Sequence, residues 1–382
     1  MKLTTYFQKF FQSSQSSGIL LLGCVIISLL IANSGAGSSF ANLLQYQLGP
    51  YSTSVWINDG LMAIFFLLVG LEIKREIVEG ELSSFKNASL PIFAAIGGMV
   101  VPALIFAFFN SGTEYANGWG IPMATDIAFS LAIVAMLGSR VPASIKIFLA
   151  ALAIVDDLGA IMVIAIFYTE QIHWIYLLFT ALVIILLIFL NRFKVTRHIY
   201  YLIPGIFLWY FMHHSGIHAT IAGVILAFTI PTNASHTEIS PLEKLEHRLH
   251  TPVNFLIMPL FALANTNILF KSGMVEGLFS TLGYGIILGL VAGKLIGITL
   301  FSGIAIRTKL SSLPADSNWT QMIGTALLAG IGFTMSIFIA LLSYKGHLEI
   351  QEEAKFAILV ASAISGVSGY LILRQAGRKK TT

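Results

Sequence analysis

The chain has 382 residues with a net charge of +4, and 56% of its residues are hydrophobic while only 10% are charged. Together with a mean hydropathy of +0.84, this excludes an ordinary soluble globular domain and indicates a polytopic membrane protein. The single cysteine, Cys24, excludes a disulfide framework and a cysteine-built zinc site, and we expect neither a cofactor nor a nucleic-acid partner.

The chain opens with Lys2 and Lys9, and two interpretations of this start are open. A cleaved signal peptide is one of them, since an apolar run and small residues follow the two lysines. The other is a short amphipathic helix on the membrane surface followed by a first span. Its apolar residues have helical spacing and are Leu3, Tyr6, Phe7, Phe10 and Phe11.

Apolar runs long enough to span a bilayer, or nearly so, occur along the whole chain. We predict twelve transmembrane helices, at residues 18–32, 55–71, 90–109, 120–137, 145–168, 174–190, 199–212, 217–230, 254–270, 283–301, 321–342 and 355–373. The fold class predicted is therefore an all-α polytopic membrane protein, with residues 1–382 forming one integral membrane domain.

Lysines and arginines test this count independently. Of the 22 basic residues, 18 lie at the termini or in alternate loops, and the intervening loops hold only Lys271 and Lys345. Because basic residues are retained on the cytoplasmic side, both termini are expected in the cytoplasm. Cleavage of a signal peptide would remove one span and conflict with this pattern.

The first outer loop, residues 33–54, carries no charge and is rich in Gly, Ser, Gln and Tyr. This composition fits either a small hairpin or a plain linker. Asp59, which follows near the start of the second span, is expected to cap that helix.

The pair Asp156 and Asp157 lies in the fifth span, in an otherwise uncharged run from residue 147 to residue 168. Each ionised Asp at the centre of a spanning helix costs about 2.5 to 3.5 kcal/mol, so two adjacent carboxyls indicate a cationic partner. Neighbours on a helix point about 100° apart, so the two carboxyls have different surroundings.

Two spans contain residues that interrupt helices at membrane depth. Asp126 follows Pro122 in the fourth span, and the eleventh contains the run AGIGFTMSIFIA at residues 329–340. Each is the central member of a three-span group, in spans 3–5 (90–168) and spans 10–12 (283–373). This placement predicts an inverted-topology repeat with two broken helices crossing near the bilayer midplane.

At such a crossing, Asp126 can offset positive helix ends and Lys294 the negative ones, which is a structural role; a direct role in transport is the alternative. Asp156, Asp157 and Thr125 supply only oxygen, which small hard cations prefer. Protons bind the same carboxyls. A site that holds either a cation or protons, and opens to each side in turn, performs antiport.

Seven segments, in order over nearly the whole chain, closely resemble the NhaA-type sodium/proton antiporters. They are WINDGLMAIFFLLVGLEIKREI, IPMATDIAFSLA, GSRVPASIKIFLAALAIVDDLGAI, SGIHATIAGVI, LEHRLHTPVNFLIMPLFALAN, GKLIGI and GIGFTMSIFIA. The resemblance implies an electrogenic carrier, not an enzyme, that expels Na⁺ or Li⁺ from a bacterium across its cytoplasmic membrane and admits a larger number of protons.

The resemblance also implies roles for individual residues. Asp157 is similar to the essential Na⁺ ligand and Asp156 to the partner that bridges to Lys294, while Asp126 and Thr125 match the crossing. Loop 33–54 corresponds by position to a hairpin that pairs two protomers, which implies a homodimer.

A polar cluster matches the family's pH-sensing region. Its members are Glu72, Glu76, Glu246, His247 and His250. His218 matches a separate family position associated with pH response, and a packed or hydrogen-bonded histidine is the alternative for it. Histidines near pKa 6.5 among carboxylates change charge around neutral pH, so activation between about pH 6.5 and 8.5 is expected. A solvated polar rim at helix ends is the alternative.

Two other protein classes use membrane carboxyls. An intramembrane aspartyl protease places its two Asp on separate helices with a glycine before the second, whereas Asp156 and Asp157 are adjacent and glycine appears only at Gly159. A passive cation channel would give flux without coupling. Buried Asp and Lys with interrupted helices favour an occluding carrier.

Overall fold

The computed structural model of the chain describes residues 14–169, 171–232 and 239–377, which are mostly helical. The predicted amphipathic segment at residues 3–11 lies outside them. Helices dominate because a bilayer interior offers no water to backbone N–H and C=O groups, and a helix satisfies these groups within one segment.

The α-helices are numbered in chain order. They are α1 (Ser14–Ala32), α2 (Gly37–Gln45), α3 (Thr53–Val78), α4 (Phe85–Asn110), α5 (Ile127–Met136), α6 (Ala143–Phe167), α7 (Trp174–Arg192), α8 (Ile199–Ser215), α9 (Ile221–Thr229), α10 (Pro241–Pro252), α11 (Met258–Asn265), α12 (Met274–Gly277), α13 (Thr281–Arg307), α14 (Trp319–Ala329), α15 (Phe333–Ser343) and α16 (Leu348–Ala376).

Helices of other types lie between or within them. The 3₁₀ helices are Glu81–Ser83, Ala116–Met123 and Gly138–Arg140. π-Helical turns are found at Trp56–Leu61 within α3, at Val253–Ile257 between α10 and α11, and at Gly289–Gly293 within α13.

Within the described residues, eight helices are long and apolar enough to cross a membrane, or up to nine if α14 and α15, which are bent by 42°, form one span. The protein is therefore an all-α membrane protein. The predicted spans at 199–212 and 217–230 correspond to α8 and α9, of 17 and 9 residues. The count of twelve stays a prediction, because a perpendicular crossing takes about 20 residues.

The helices group into two compact units. The first contains the described residues up to 37, residues 84–160, and the described residues from 265 onwards; it includes α1, α4, α5, most of α6, and α12 to α16. The second contains residues 38–83 and the described residues of 161–264, and it includes α3 and α7 to α10.

Loop 33–54 contains both a helix and a hairpin. After α2, the strands Gln47–Leu48 (β1) and Tyr51–Ser52 (β2) pair antiparallel, with Gln47 opposite Ser52 and Leu48 opposite Tyr51. The turn between them needs Gly49, whose φ is +69°. Ser52 then caps α3 by accepting a hydrogen bond from the Val55 N–H, so the predicted capping role of Asp59 is wrong.

Glycines allow α4 and α13 to touch backbone to backbone in the first unit. A Cβ added at Gly97 would lie 2.2 Å from the Gly297 carbonyl oxygen, and one added at Gly297 would lie 2.0 Å from the Gly97 carbonyl oxygen. Small residues at such contacts are typical of membrane helix packing. The contact fixes the position of Lys294, which lies one turn before Gly297 on α13.

Candidate functional site

Four segments of the first unit meet around the two adjacent carboxyls. The middle of α6 carries Asp156 and Asp157, and α13 carries Lys294 directly after its π-helical turn. The other two segments are interrupted helices, one between Met123 and Ile127 and one between α14 and α15. π-Helical turns and helix breaks leave backbone groups unpaired and are frequent at functional sites.

The two interruptions satisfy each other's backbone groups. The Asp126 N–H donates to the Ile331 carbonyl at 2.7 Å, and the Ser130 hydroxyl lies 2.9 Å from the Leu328 carbonyl. In the opposite direction, the Ser336 hydroxyl donates to the Ile121 carbonyl at 2.7 Å. Because buried backbone groups need partners, each break is stabilised by residues of the other.

Asp126 lies at the amino-terminal ends of two helices. Its Oδ1 accepts the Phe129 N–H of α5 at 3.0 Å, and its Oδ2 accepts the Thr334 N–H of α15 at 3.1 Å. The Thr334 hydroxyl also donates to Oδ2, at 2.5 Å. The negative charge of a carboxylate at this point offsets the partial positive charges at the amino-terminal ends of both helices.

Lys294 is fully buried and is bonded to two oxygen-bearing side chains. Its ammonium forms an ion pair with Asp156 Oδ2 and donates to Thr125 Oγ1 at 3.0 Å. Thr125 Oγ1 also lies 2.6 Å from Asp156 Oδ2 and 2.8 Å from the Ala329 carbonyl oxygen. Since a hydroxyl has one proton, it can donate to only one of these two acceptors at a time.

The carboxyl pair itself is almost inaccessible, with Asp156 0% and Asp157 2% exposed. In the described part of the chain, Asp156 Oδ1 accepts no hydrogen bond. A buried carboxylate oxygen with spare capacity can take a proton or a cation, and Thr125 Oγ1 and the Ala329 carbonyl add neutral oxygens nearby. Such a set fits a small hard cation.

A family model and several relatives that match this chain all carry the name of a Na+/H+ antiporter. A family model described as "Na+/H+ antiporter 1" matches residues 8–373. The "Na(+)/H(+) antiporter NhaA 2" of Flavobacterium johnsoniae is 56% identical over 98% of this chain and 93% of its own length. The "Na(+)/H(+) antiporter NhaA" of Flavobacterium psychrophilum is 51% identical over 98% of this chain and 97% of its own length. The protein of the same name in Dechloromonas aromatica is 52% identical over 97% of this chain and 96% of its own length.

The chain belongs to the Na+/H+ antiporter 1 family. The resemblance drawn from the sequence segments is thereby confirmed, and the protein is a multi-pass membrane protein. Within the described ranges, no group of three or more His, Cys, Asp or Glu side chains is arranged to hold a metal ion. The role predicted for Asp156 and Asp157, as ligands of transported Na⁺, stays a prediction.

In this family member, the predicted pH-sensing residues divide between separate places in the second unit. Arg75 joins two of them: its Nε lies 3.1 and 3.0 Å from the two carboxylate oxygens of Glu246, and its Nη1 lies 2.7 Å from Glu76 Oε1. Glu72, one turn before Glu76 on α3, is within range of the Glu246, Arg75 and Glu76 charges. Sequence reasoning missed Arg75, because a Lys-Arg pair at a helix end is normally a topology signal.

The two histidines of α10 have different surroundings. His247 is exposed and contributes to the lowered pKa of Glu243, which is caused first by the hydrogen bond from the Ser240 N–H. His250 is also exposed, and desolvation lowers its pKa from its ordinary value of 6.5, while the Glu246 charge acts in the opposite direction. Both histidines lie on a helix whose start is fixed by a capping box of Ser240 and Glu243.

His218 lies in another polar group. Its Nε2 is 3.7 Å from Asp59 Oδ1, and its Nδ1 is 2.8 Å from Thr220 Oγ1. His213 Nδ1 is 3.7 Å from the other oxygen of Asp59. The π-helical turn Trp56–Leu61 turns Asp59 towards both histidines, a local feature that the sequence pattern does not reveal.

Proposed function

We propose that this protein exchanges Na⁺ or Li⁺ for protons across the bacterial cytoplasmic membrane by alternating access. The observation that carries the proposal is the buried pair Asp156 and Asp157, held beside Thr125 and Lys294 where two interrupted segments meet. The names of the relatives, which are Na⁺/H⁺ antiporters at 46% to 56% identity, support the same activity. Na⁺ homeostasis and pH homeostasis are the roles that follow.

We assign different tasks to the two carboxyls. Asp157 is the indispensable cation ligand, and Asp156 is shared between the cation and Lys294. Support for the second assignment comes from Asp156 itself, since its Oδ2 pairs with Lys294 and its Oδ1 accepts no hydrogen bond within the described residues. A cation that draws on Asp156 weakens its attraction for the Lys294 ammonium, so the ion pair and the bound cation compete.

Protons and cations exclude each other at these oxygens. Protonation removes the negative charge that a small hard cation needs, and a bound cation disfavours protonation by repulsion. Two carboxyls can take up more than one proton in exchange for one monovalent cation. Exchange of this kind moves net charge and is electrogenic.

The finer architecture proposed here has twelve spans with an inverted repeat. Residues 90–168 and 283–373 form the two halves, and their fourth and eleventh spans are the broken helices. The reciprocal bonds between the interruptions, Asp126 N–H to the Ile331 carbonyl and Ser336 hydroxyl to the Ile121 carbonyl, are what a related pair of broken helices would make. Asp126 then neutralises positive helix ends without binding the transported ion.

The distribution of basic residues supports a topology with both termini in the cytoplasm. We further propose a homodimer in the membrane, paired through loop 33–54, and no cofactor. The antiparallel strands Gln47–Leu48 and Tyr51–Ser52 give that loop an edge to which a second copy could add strands.

Regulation by pH is assigned to the polar groups of the second unit. Glu72, Glu76 and Glu246 surround Arg75, and His247 and His250 lie on the same helix as Glu246. Each proton gained or lost by this group changes the balance of charge around one guanidinium. His218 beside Asp59 is a second titratable pair.

The test is Na⁺-driven proton movement in vesicles. Purified protein is reconstituted into liposomes with an internal pH dye, a pH gradient is imposed, and NaCl is added. Antiport predicts that Na⁺ discharges the gradient and that Asp157→Asn abolishes the response.

Asp316→Asn is the matched control, because Asp316 is an exposed loop residue whose φ of +56° asparagine also adopts. It should behave like the unmodified protein. Proton flux that does not depend on Na⁺ would indicate a channel. Full activity in Asp157→Asn would also overturn the proposal.

A further inference from the structure

A long apolar groove runs along the surface of the first unit, between α1, α5 and α16. Its volume is about 680 Å³. Leu22 and Leu29 of α1 form one wall and Leu359 and Leu371 of α16 form another. The helices that form it are membrane-spanning candidates, so the medium that faces it is lipid.

The groove exists because α16 carries small residues where it faces α5. Gly366 has no side chain, and a Cβ there would lie 3.3 Å from Ile133 Cδ1. Ala363 is exposed and lines the groove beside it. From Leu359 to Leu371 the helix rises by about 18 Å, which is slightly more than the thickness of one leaflet of a hydrocarbon core of about 30 Å. One acyl chain therefore matches the groove in length.

One end of the groove is cationic. Arg140 and Arg374 are both exposed, and Arg374 lies one turn before the end of α16. A Cβ added at Gly377, just after that helix, would lie 2.7 Å from the Arg140 carbonyl oxygen, so the two arginines border the same end. Lys146 adds a third positive charge, since its ammonium donates to the Gly138 carbonyl at 3.1 Å.

The apolar groove and its cationic end fit a ligand that has an apolar chain and an anionic headgroup. We propose that the groove binds an anionic membrane phospholipid, with one acyl chain between α1 and α16 and its phosphate between Arg140 and Arg374. Guanidinium groups bind phosphate oxygens in bidentate fashion, and the arginine end faces the cytoplasm in the proposed topology, where anionic lipids attract basic residues.

The lipid would also support the interrupted helices. The groove floor includes Ile331 within the break before α15, Phe333 at the start of α15, and Phe129 of α5. Phe129 and Phe333 contact each other edge to face at 5.5 Å between ring centroids. An acyl chain against these residues excludes water from the outer side of the break. The proposal does not depend on which ion the protein exchanges.

The test counts lipids bound to the purified full-length protein. The protein in detergent is incubated with dioleoylphosphatidylglycerol or with dioleoylphosphatidylcholine, and bound lipid is quantified by native mass spectrometry. We expect one phosphatidylglycerol to bind at least about tenfold more tightly than phosphatidylcholine, because both lipids carry the phosphate but the choline ammonium of phosphatidylcholine adds a positive charge beside the two arginines. Equal binding of the two lipids would overturn the proposal.

Matched variants separate this site from general lipid association. Ala363→Phe fills the groove and should lower phosphatidylglycerol binding about tenfold, whereas Ile364→Phe, on the exposed neighbouring residue outside the lining, should not. Val367→Phe, at an exposed lining position, gives a second variant if Ala363→Phe does not fold.

The headgroup contact is tested by Arg140→Gln with Arg374→Gln. This double variant should remove the preference for phosphatidylglycerol, and Arg307→Gln, at an exposed arginine that ends α13, should retain it. Unchanged phosphatidylglycerol binding in the groove variants or in the double arginine variant would contradict the proposal.

Discussion

The Thr125 hydroxyl connects Lys294 and Asp156, the ion pair of the candidate site. It accepts a hydrogen bond from Lys294 and lies within bonding distance of Asp156 and of the Ala329 carbonyl. Its residue type alone gives no hint of this, because isolated threonines are common in membrane helices. From the sequence it was predicted as an oxygen ligand together with Asp156 and Asp157, and the family resemblance matched it to the crossing.

Replacement of this hydroxyl by a methyl group should weaken Na⁺ binding. Thr125→Val keeps the side-chain shape and removes a bond to charged groups worth about 1.5 to 3 kcal/mol, so the apparent KM for Na⁺ should rise about tenfold or more. Na⁺ titration of antiport in vesicles measures it. Thr180→Val, at a buried threonine that bonds the Tyr176 carbonyl in α7, is the control. An unchanged KM in Thr125→Val would refute the ligand role.

His250 should affect only the acid side of the activity profile. Because desolvation lowers its pKa below 6.5, the side chain is neutral at pH 7 and gains its proton at lower pH. The stability that it contributes is therefore present above pH 6.5 and is lost as the pH falls.

The pH dependence of His250→Gln checks this assignment. Antiport measured between about pH 5.5 and 8.5 should differ from that of the unmodified protein only below about pH 6.5, and melting of the variant should be less sensitive to acid. A shift of the alkaline part of the profile in His250→Gln would assign His250 a different role.

Among helices, the contact between α4 and α13 controls the position of Lys294. Each glycine of the pair meets the other's carbonyl, and a Cβ added at the adjacent Gly98 would lie 3.6 Å from Lys294 Cδ. Glycine-rich segments were visible in the sequence, but their partners were not, because helix pairing is a tertiary property. The same applies to Asp126, whose two helix ends belong to segments about 200 residues apart.

Gly297→Ala should therefore reduce both stability and transport. The added methyl group would lie about 2 Å from a backbone oxygen, and such overpacking typically costs 1 to 3 kcal/mol. Gly303→Ala on the same helix is the control, since its nearest neighbour, a Trp319 ring carbon, would be 3.6 Å away. Thermal unfolding in detergent ranks the two variants. Equal melting temperatures would show that the contact is not tight.

For the whole molecule, the composition predicted a helical membrane protein, and its family membership and helices agree. The sequence could not fix helix lengths, because apolar periodicity does not reveal where turns and π-helical segments interrupt a run. Loop 33–54 stayed undecided for a similar reason: two short strands of two residues each carry no recognisable alternation. The carboxyl pair was found because charge at membrane depth is rare.

The predicted topology places the two ends of the last helix on opposite sides of the membrane, with the C-terminal end in the cytoplasm. Green fluorescent protein fused after the C-terminus should fluoresce in cells, because it folds in the cytoplasm, whereas fusion to a chain truncated after Lys345 should remain dark. Alkaline phosphatase fusions at the same points should give the opposite pattern. Fluorescence at both points would exclude twelve spans with both termini inside.

The proposed antiport depends on competition between Na⁺ and protons at one carboxyl pair. Release of protons on addition of NaCl to purified protein in weak buffer measures this competition without any membrane gradient. The unmodified protein and Asp316→Asn should release protons, and Asp157→Asn should release none. Binding of Na⁺ without proton release, or equal release from Asp157→Asn, would contradict the mechanism.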